Sequence, residues 1–184
     1  MQHKIIETED VVIRFAGDSG DGMQLTGTLF ADASALYGNE ISTFPDYPAE
    51  IRAPQGTVSG VSGFQVHIGS VKINTPGDFC DVLVAMNPAA LKANVKWAKP
   101  TATIIVDADT FDEKGIQRAG YATQDPIAEL NIQDRNLILA PITTLTKESL
   151  KDSGLDNKSI LRCKNMFTLG MCFFIFNKSL DYTY

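Results

Sequence analysis

A glycine-rich turn is the place in this chain where residue type and spacing first suggest chemistry. Gly17-Asp18-Ser19-Gly20-Asp21-Gly22 follows an apolar run from Val11 to Phe15 that carries only Arg14. It precedes Leu25, Leu29, Ala33, Leu36 and Tyr37, which recur at helical spacing, and Gly38 is placed to end that helix. Strand, tight loop and helix in this order present backbone amides and a helix N-terminus to an anion.

Three readings of the loop compete. A dinucleotide fingerprint needs G-x-G-x-x-G, whereas this loop is G-x-x-G-x-G, and Asp18 and Asp21 place negative charge where a pyrophosphate would sit. Asp46, the candidate ribose-binding acid, lies between Pro45 and Pro48. Gly20-Asp21-Gly22 matches the start of the magnesium–diphosphate motif of thiamine enzymes. That motif requires an asparagine about two dozen residues on, to complete an oxygen shell. Tyr47 to Glu50 occupy that place and none is asparagine, so a thiamine site is excluded here. The third reading needs no ligand: the glycines permit a tight turn, and Asp18, Ser19 or Asp21 caps the helix.

Other reactive residues are sparse. His67 is the only histidine beyond the N-terminal tail that holds His3, and it reads as a surface residue on the polar face of a strand. Neither a Ser–His–Asp nor a Cys–His set is suggested by spacing. Glu50 and Arg52 flank Ile51 in a proline-rich segment. They read as a surface ion pair, or as a loop that offers Arg52 to an anionic substrate or partner. Asp107 and Asp109 fall at the end of a strand, where capping and turn formation account for them better than a metal does. Asn165 and Gly170 interrupt an apolar helix and mark a close helix contact, while Phe167, Phe173, Phe174 and Phe176 read as core or as an interface.

The elements that must position these residues follow from periodicity. Ile41 to Phe44 is a second strand, and Pro45, Pro48 and Pro54 keep the next stretch extended. Phe64, Val66 and Ile68 alternate with polar residues. Gly69-Ser70 predicts a two-residue turn into Val71 to Ile73, an antiparallel hairpin. Asp81 to Met86 is a core strand. Asn87-Pro88 then starts a helix with Leu91, Val95 and Ala98 inward and Lys92, Lys96 and Lys99 outward. Thr103 to Val106 and Leu137 to Ala140 are strands, separated by a stretch from Phe111 to Asp134 without readable periodicity. Thr144 to Lys151 is a short helix, and Ser159 to Phe176 a long, mostly apolar one. Strands alternating with helices predict an α/β fold in three layers: a mainly parallel sheet, helices on both faces, and one antiparallel hairpin.

Composition bounds the function. The chain has 184 residues, 44% hydrophobic and 21% charged, which fits one soluble domain over 1–184. A net charge of −6 disfavours nucleic acid and anionic membrane surfaces. Cys80, Cys163 and Cys172 form no C-x-x-C pair, which argues against a disulfide framework, a zinc site or an iron–sulfur site from this chain alone. Free thiols and a polar N-terminus place it in the cytoplasm. The abrupt end at Asp181-Tyr182-Thr183-Tyr184, just past the last helix, reads as a fragment of a longer polypeptide.

Four stretches, in this order, resemble one family. They are Arg14 to Gly22; Phe44-Pro45-Asp46-Tyr47-Pro48-Ala49-Glu50-Ile51-Arg52-Ala53-Pro54; Met86-Asn87-Pro88-Ala89-Ala90-Leu91; and Lys164-Asn165-Met166-Phe167-Thr168-Leu169-Gly170. The chain resembles the gamma domain of the 2-oxoacid:ferredoxin oxidoreductases. Within them it is most similar to the form in which gamma is fused ahead of the alpha part, typical of 2-oxoglutarate-type enzymes. Stand-alone gamma subunits usually carry a G-x-G-G-x-G loop and a glycine pair after the proline–arginine segment. Asp18 and Asp21 in the loop, and Ala53-Pro54 in place of the glycines, favour the fused form.

The resemblance implies a component of an enzyme that oxidatively decarboxylates a 2-oxoacid, such as 2-oxoglutarate or pyruvate, with coenzyme A. The products are an acyl-CoA, carbon dioxide and reduced ferredoxin. It implies that thiamine diphosphate, magnesium and the iron–sulfur clusters reside in other parts, so that this chain alone has no turnover. Its partners would be the alpha and beta parts, and ferredoxin through the complex. The resemblance gives the domain a share in coenzyme A binding, through Gly17, Ser19, Gly20, Gly22, Glu50 and Arg52, and a share in assembly. A nucleotide-binding module for NAD or a flavin, or a scaffold whose loop binds nothing, remains the alternative.

Overall fold

The structure is a computed structural model that describes residues 7–50 and 52–181. The N-terminal tail with His3, the Ile51 between Glu50 and Arg52, and the terminal Tyr182-Thr183-Tyr184 lie outside the described residues.

Six strands form one mixed sheet. In chain order they are β1 (Asp10–Asp18), β2 (Glu40–Asp46), β3 (Val61–Gly69), β4 (Cys80–Ala85), β5 (Ala98–Asp107) and β6 (Asn136–Ala140). In space the order is β2-β3-β1-β4-β5-β6. β1, β4, β5 and β6 are parallel neighbours, and their near-continuous apolar runs suit strands covered on both faces. The antiparallel part differs from the expected hairpin. Val71 to Ile73 form no strand; instead β3 lies between β2 and β1 and is antiparallel to both. The local turn signal at Gly69-Ser70 lost to long-range pairing that buries Phe64, Val66 and Ile68.

The helices are α1 (Met23–Leu36), α2 (Pro88–Asn94), α3 (Glu113–Arg118), α4 (Pro126–Glu129), α5 (Ile142–Ser149), α6 (Asn157–Arg162) and α7 (Lys164–Ile175). One core joins α1 and α7 to the sheet face that carries Ile13, Phe15, Val66 and Val84. The other joins α2 and the 127–132 segment to the opposite face, with Val12, Leu83, Ile104 and Val106. This is the three-layer α/β arrangement expected.

Three helical expectations are corrected. In α1 the buried stripe is Met23, Thr26, Gly27, Phe30, Ala33 and Ser34, whereas Leu25 and Leu36 are 51% and 61% exposed. The cause is Gly27: any Cβ there would overlap the Phe64 ring, so the helix rests on β3 by its glycine. The predicted helix after Asn87 ends at Asn94, and Ala98 and Lys99 belong to β5. The long C-terminal helix is broken at Cys163 into α6 and α7. The apolar run is buried along one stripe only, through Leu169, Cys172 and Phe173, and Phe174 is 81% exposed rather than core.

Two local expectations hold. Asn87 Oδ1 accepts from the Ala90 amide at 2.8 Å, with Pro88 in the first turn. Gly38 adopts φ 82° just past α1, and its amide donates to Ala35 O at 2.8 Å.

Candidate functional site

Parallel strands deliver loops to their carboxyl ends, and here those loops diverge. β1 leads through α1 toward β2 on one side of the sheet order; β4 leads through α2 toward β5 on the other. The crevice at such a switch point is where open α/β sheets bind ligands.

The glycine turn sits at this point. Gly22 takes φ 75° and starts α1 with no side-chain cap, so the expected capping by Asp18, Ser19 or Asp21 does not occur. Asp21 instead folds back: its Oδ2 accepts from the Asp18 amide at 2.9 Å. Burial pushes the Asp21 carboxyl above its ordinary 3.8; nearby Lys164 and the Asp18 amide oppose that shift, while Asp18 and Asp107 add to it. A Cβ on Gly22 would overlap Asn165 Nδ2, so Asn165 does mark a close contact between α7 and the turn. Gly170 does not: a Cβ there would meet nothing within 4 Å.

The segment after β2 arcs back over the same turn. Its Gly56 amide donates to Asp18 Oδ2 at 2.8 Å, and the Ser19 amide donates to Gly60 O at 3.2 Å. Glu50 and Arg52 lie exposed on this arc, unpaired with each other among the ion pairs of the described residues. The surface ion pair is thus corrected: Glu50 engages through its amide, to Ser59 O at 3.2 Å. The arc is fixed at its root by a buried cation. Arg14 Nε donates to Asn94 Oδ1 at 2.6 Å, Nη1 to Gln65 Oε1 at 3.2 Å, and Nη2 pairs with Asp46. Asp46 therefore serves an arginine and not a ribose.

Below the turn, Asp107 is fully buried. Its carboxylate accepts from the Thr143 amide at 3.2 Å and the Thr143 hydroxyl at 2.6 Å, and lies 3.7 Å from Lys164 Nζ. Asp109 Oδ2 accepts from the Thr144 amide at 2.6 Å. Both aspartates satisfy the first turn of α5, as capping predicts. His67 is more enclosed than a surface reading implies, with Nδ1 2.7 Å from Thr75 O and Nε2 2.8 Å from Asp10 Oδ2.

Beside the turn is an open cavity of about 330 Å³ lined by Asp18, Gly56, Asn87, Asp109, Lys114 and Arg118 among others. None of the six residues singled out from sequence lines it; of the glycine turn only Asp18 does, and of the arc after β2 only Gln55 and Gly56. Lys114 and Arg118 were missed because they lie in the stretch without periodicity. Their signal was local: Asp112 caps α3 by accepting from the Gly115 amide at 2.7 Å, and the two cations follow at i and i+4. Among the described residues no group of three His, Cys, Asp or Glu is poised to hold a metal ion, and no helix is long and apolar enough to cross a membrane.

The four stretches that carried the resemblance meet here. The Met86 amide donates to Ala16 O at 2.9 Å, and the Thr168 hydroxyl to Met86 Sδ at 3.4 Å. With the Arg14–Asp46 ion pair and the Gly22–Asn165 contact, these join all four around β1. A family model described as pyruvate ferredoxin/flavodoxin oxidoreductase matches residues 12–181. The chain belongs to this oxidoreductase family. It is 47% identical over 175 residues to 2-oxoglutarate oxidoreductase subunit KorA of Mycobacterium tuberculosis, covering 95% of this chain and 27% of that protein. It is 32% identical over 140 residues to 2-oxoglutarate synthase subunit KorC of Methanothermobacter marburgensis, covering 75% of this chain and 67% of that one. Among solved structures, the 2-oxoglutarate:ferredoxin oxidoreductase from Magnetococcus marinus, with 2-oxoglutarate, coenzyme A and succinyl-CoA bound, matches with TM-score 0.66 and 28% identity. That match covers 91% of this chain and 24% of the other. A keto/oxoacid ferredoxin oxidoreductase gamma subunit from Geobacter sulfurreducens shares the fold at TM-score 0.60 and 18% identity, over 90% of this chain and 75% of that one. This oxidoreductase-family chain therefore spans about a quarter of the length of KorA and of the Magnetococcus chain.

Proposed function

We propose that this chain is a single gamma-type domain of a 2-oxoacid:ferredoxin oxidoreductase, one that converts a 2-oxoacid such as 2-oxoglutarate and coenzyme A to an acyl-CoA, carbon dioxide and reduced ferredoxin. The observation that carries the reading is the 47% identity to KorA across 95% of the chain. The domain works in the cytoplasm, within an oligomer that holds the alpha and beta parts, and reaches ferredoxin through that complex. Thiamine diphosphate, magnesium and the iron–sulfur clusters belong to the other parts. The residues here do not fit them, since the asparagine of the diphosphate motif and paired cysteines are both missing.

Within the complex, this domain contributes to coenzyme A binding and to assembly. The glycine turn with Gly17, Ser19, Gly20 and Gly22, and the arc with Glu50 and Arg52, form one wall of the coenzyme site. Their mutual backbone ties support this, because two loops held together present one surface. The exposed apolar side of α7, with Phe174 and Ile175, supports the assembly role. In the assembled enzyme Arg52→Ala is expected to raise KM for coenzyme A about tenfold with kcat nearly kept, as loss of one charge-assisted contact does. An unchanged KM would turn the reading toward a scaffold.

A further inference from the structure

The connection from β3 to β4, residues 70–79, crosses the amino end of β1, away from the switch point. It contains no strand, yet two polar residues of β3 strap it down. Gln65 Nε2 donates to Pro76 O at 2.9 Å and to Gly77 O at 2.6 Å. A Cβ on Gly77 would overlap the Val12 side chain, so the strap rests closely on β1. His67 holds the preceding carbonyl: Nδ1 is 2.7 Å from Thr75 O, and Nε2 is 2.8 Å from Asp10 Oδ2. A carbonyl and a carboxylate only accept. A neutral imidazole has one N–H and serves one of them, leaving its other lone pair against an oxygen lone pair. Only the imidazolium donates to both. The side chain is 13% exposed, so water has little access to stand in for either partner.

We propose that His67 is a proton-operated latch on this strap. With both ring nitrogens protonated it ties Thr75 to Asp10 and the strap is shut. As pH rises the ring gives one proton to solvent, one of the two bonds is lost, and the 71–75 half opens. The half beyond it stays in place, because Gln65 holds Pro76 and Gly77 with an amide that does not titrate. Asp10 is the ring's one ion-pair partner among the described residues. The other charges on the surrounding elements are Glu9 before β1, Glu40 on β2, and Lys72 and Asp78 on the strap; none of them is ion-paired with the ring. Arg14 and Asp81 are committed to Asp46 and Lys99. Facing the ring from β2 and β1 are Ser42 and Val12, which do not titrate. The latch is independent of the coenzyme reading, whose residues lie at the opposite end of β1.

Limited trypsinolysis of the intact chain tests it, because Lys72 is the one tryptic site in residues 70–79. Cleavage after Lys72 is measured at pH 5.5 and pH 8.5 against an unfolded reference peptide that corrects for the protease's own pH dependence. Circular dichroism verifies that variants fold. The wild type is expected to be cut about fivefold faster at the higher pH, the effect of one lost hydrogen bond on a local opening. His67→Gln, which has an amide donor and no titration, is expected to show no such change. Asp10→Asn keeps the shape, but its amide turns to donate to a neutral ring, so the change moves to lower pH. Nitrogen-15 NMR of the wild type at pH 5.5 should show both nitrogens of the His67 ring protonated. A corrected cleavage ratio that is the same in wild type and folded His67→Gln overturns the latch. So does a neutral His67 ring at pH 5.5, and that readout stands even where His67→Gln fails to fold.

Discussion

The Gly56 amide donates a 2.8 Å hydrogen bond to Asp18 Oδ2 across 38 residues of chain. With the Ser19 to Gly60 bond at 3.2 Å it closes the arc after β2 onto the glycine turn. Two segments distant in sequence become one surface at the carboxyl end of β1. The consequences are separable by mutation.

The glycines of the turn do different jobs. Gly22 needs both its φ of 75° and its missing Cβ, because of Asn165; Gly20 faces open space. Urea unfolding is expected to show a loss of about 1–3 kcal/mol for Gly22→Ala and a change within about 0.5 kcal/mol for Gly20→Ala. If the Gly20→Ala variant is as unstable as Gly22→Ala, the described turn is wrong.

Asp21 couples stability to pH. Its carboxyl is pushed above 3.8 chiefly by burial, against Lys164. The folded state therefore holds the proton more tightly than the unfolded chain. Stability from this group is present at low pH and is lost as pH rises from 3.8 through the raised value. Asp21→Asn removes that loss. Urea midpoints measured from pH 4 to pH 7 should move in favour of the variant as pH rises; a constant or opposite difference would contradict the burial.

The thiols differ in reach. Burial pushes Cys80 up to about 11 and Cys172 up to about 12, so neither forms thiolate at neutral pH. Cys163, half-buried at the α6–α7 junction, is the accessible one. A thiol reagent at pH 7.5 should label one cysteine of the native chain and all three in denaturant. Rapid native labelling of Cys172 would show that α7 is not packed as described.

Arg14 anchors the root of the arc. Replacing it by methionine leaves Asn94, Gln65 and Asp46 without their shared donor. The expected cost is about 3 kcal/mol, at the low end for a broken buried pair because Asp46 is half exposed. Asp46→Asn keeps an acceptor and should cost less than Arg14→Met in the same unfolding experiment. The reverse order would place the charge of Asp46, not the buried guanidinium, at the centre of the network.

Features fixed by adjacent residues were legible in the sequence. Asn87-Pro88 and Gly38 set helix ends within one turn, and apolar runs as dense as Val82 to Ala85 become buried strands wherever they pair. Features decided by distant partners were not. The Gly69-Ser70 turn signal gave way to β3 pairing with β1 and β2, and Gly27 moved the buried stripe of α1 because of Phe64, 37 positions away. The site divides the same way. The glycine turn and the proline-rich arc were visible as motifs. Their contact, and the crevice with Lys114 and Arg118, arise from chain reversal that no local pattern encodes.

Turnover tests the central claim most directly. With 2-oxoglutarate, coenzyme A and a redox dye, the isolated chain is expected to show none, while its complex with the alpha and beta parts reduces the dye in a coenzyme A-dependent way. Dye reduction by the isolated chain, or a complex equally active without it, would contradict the account.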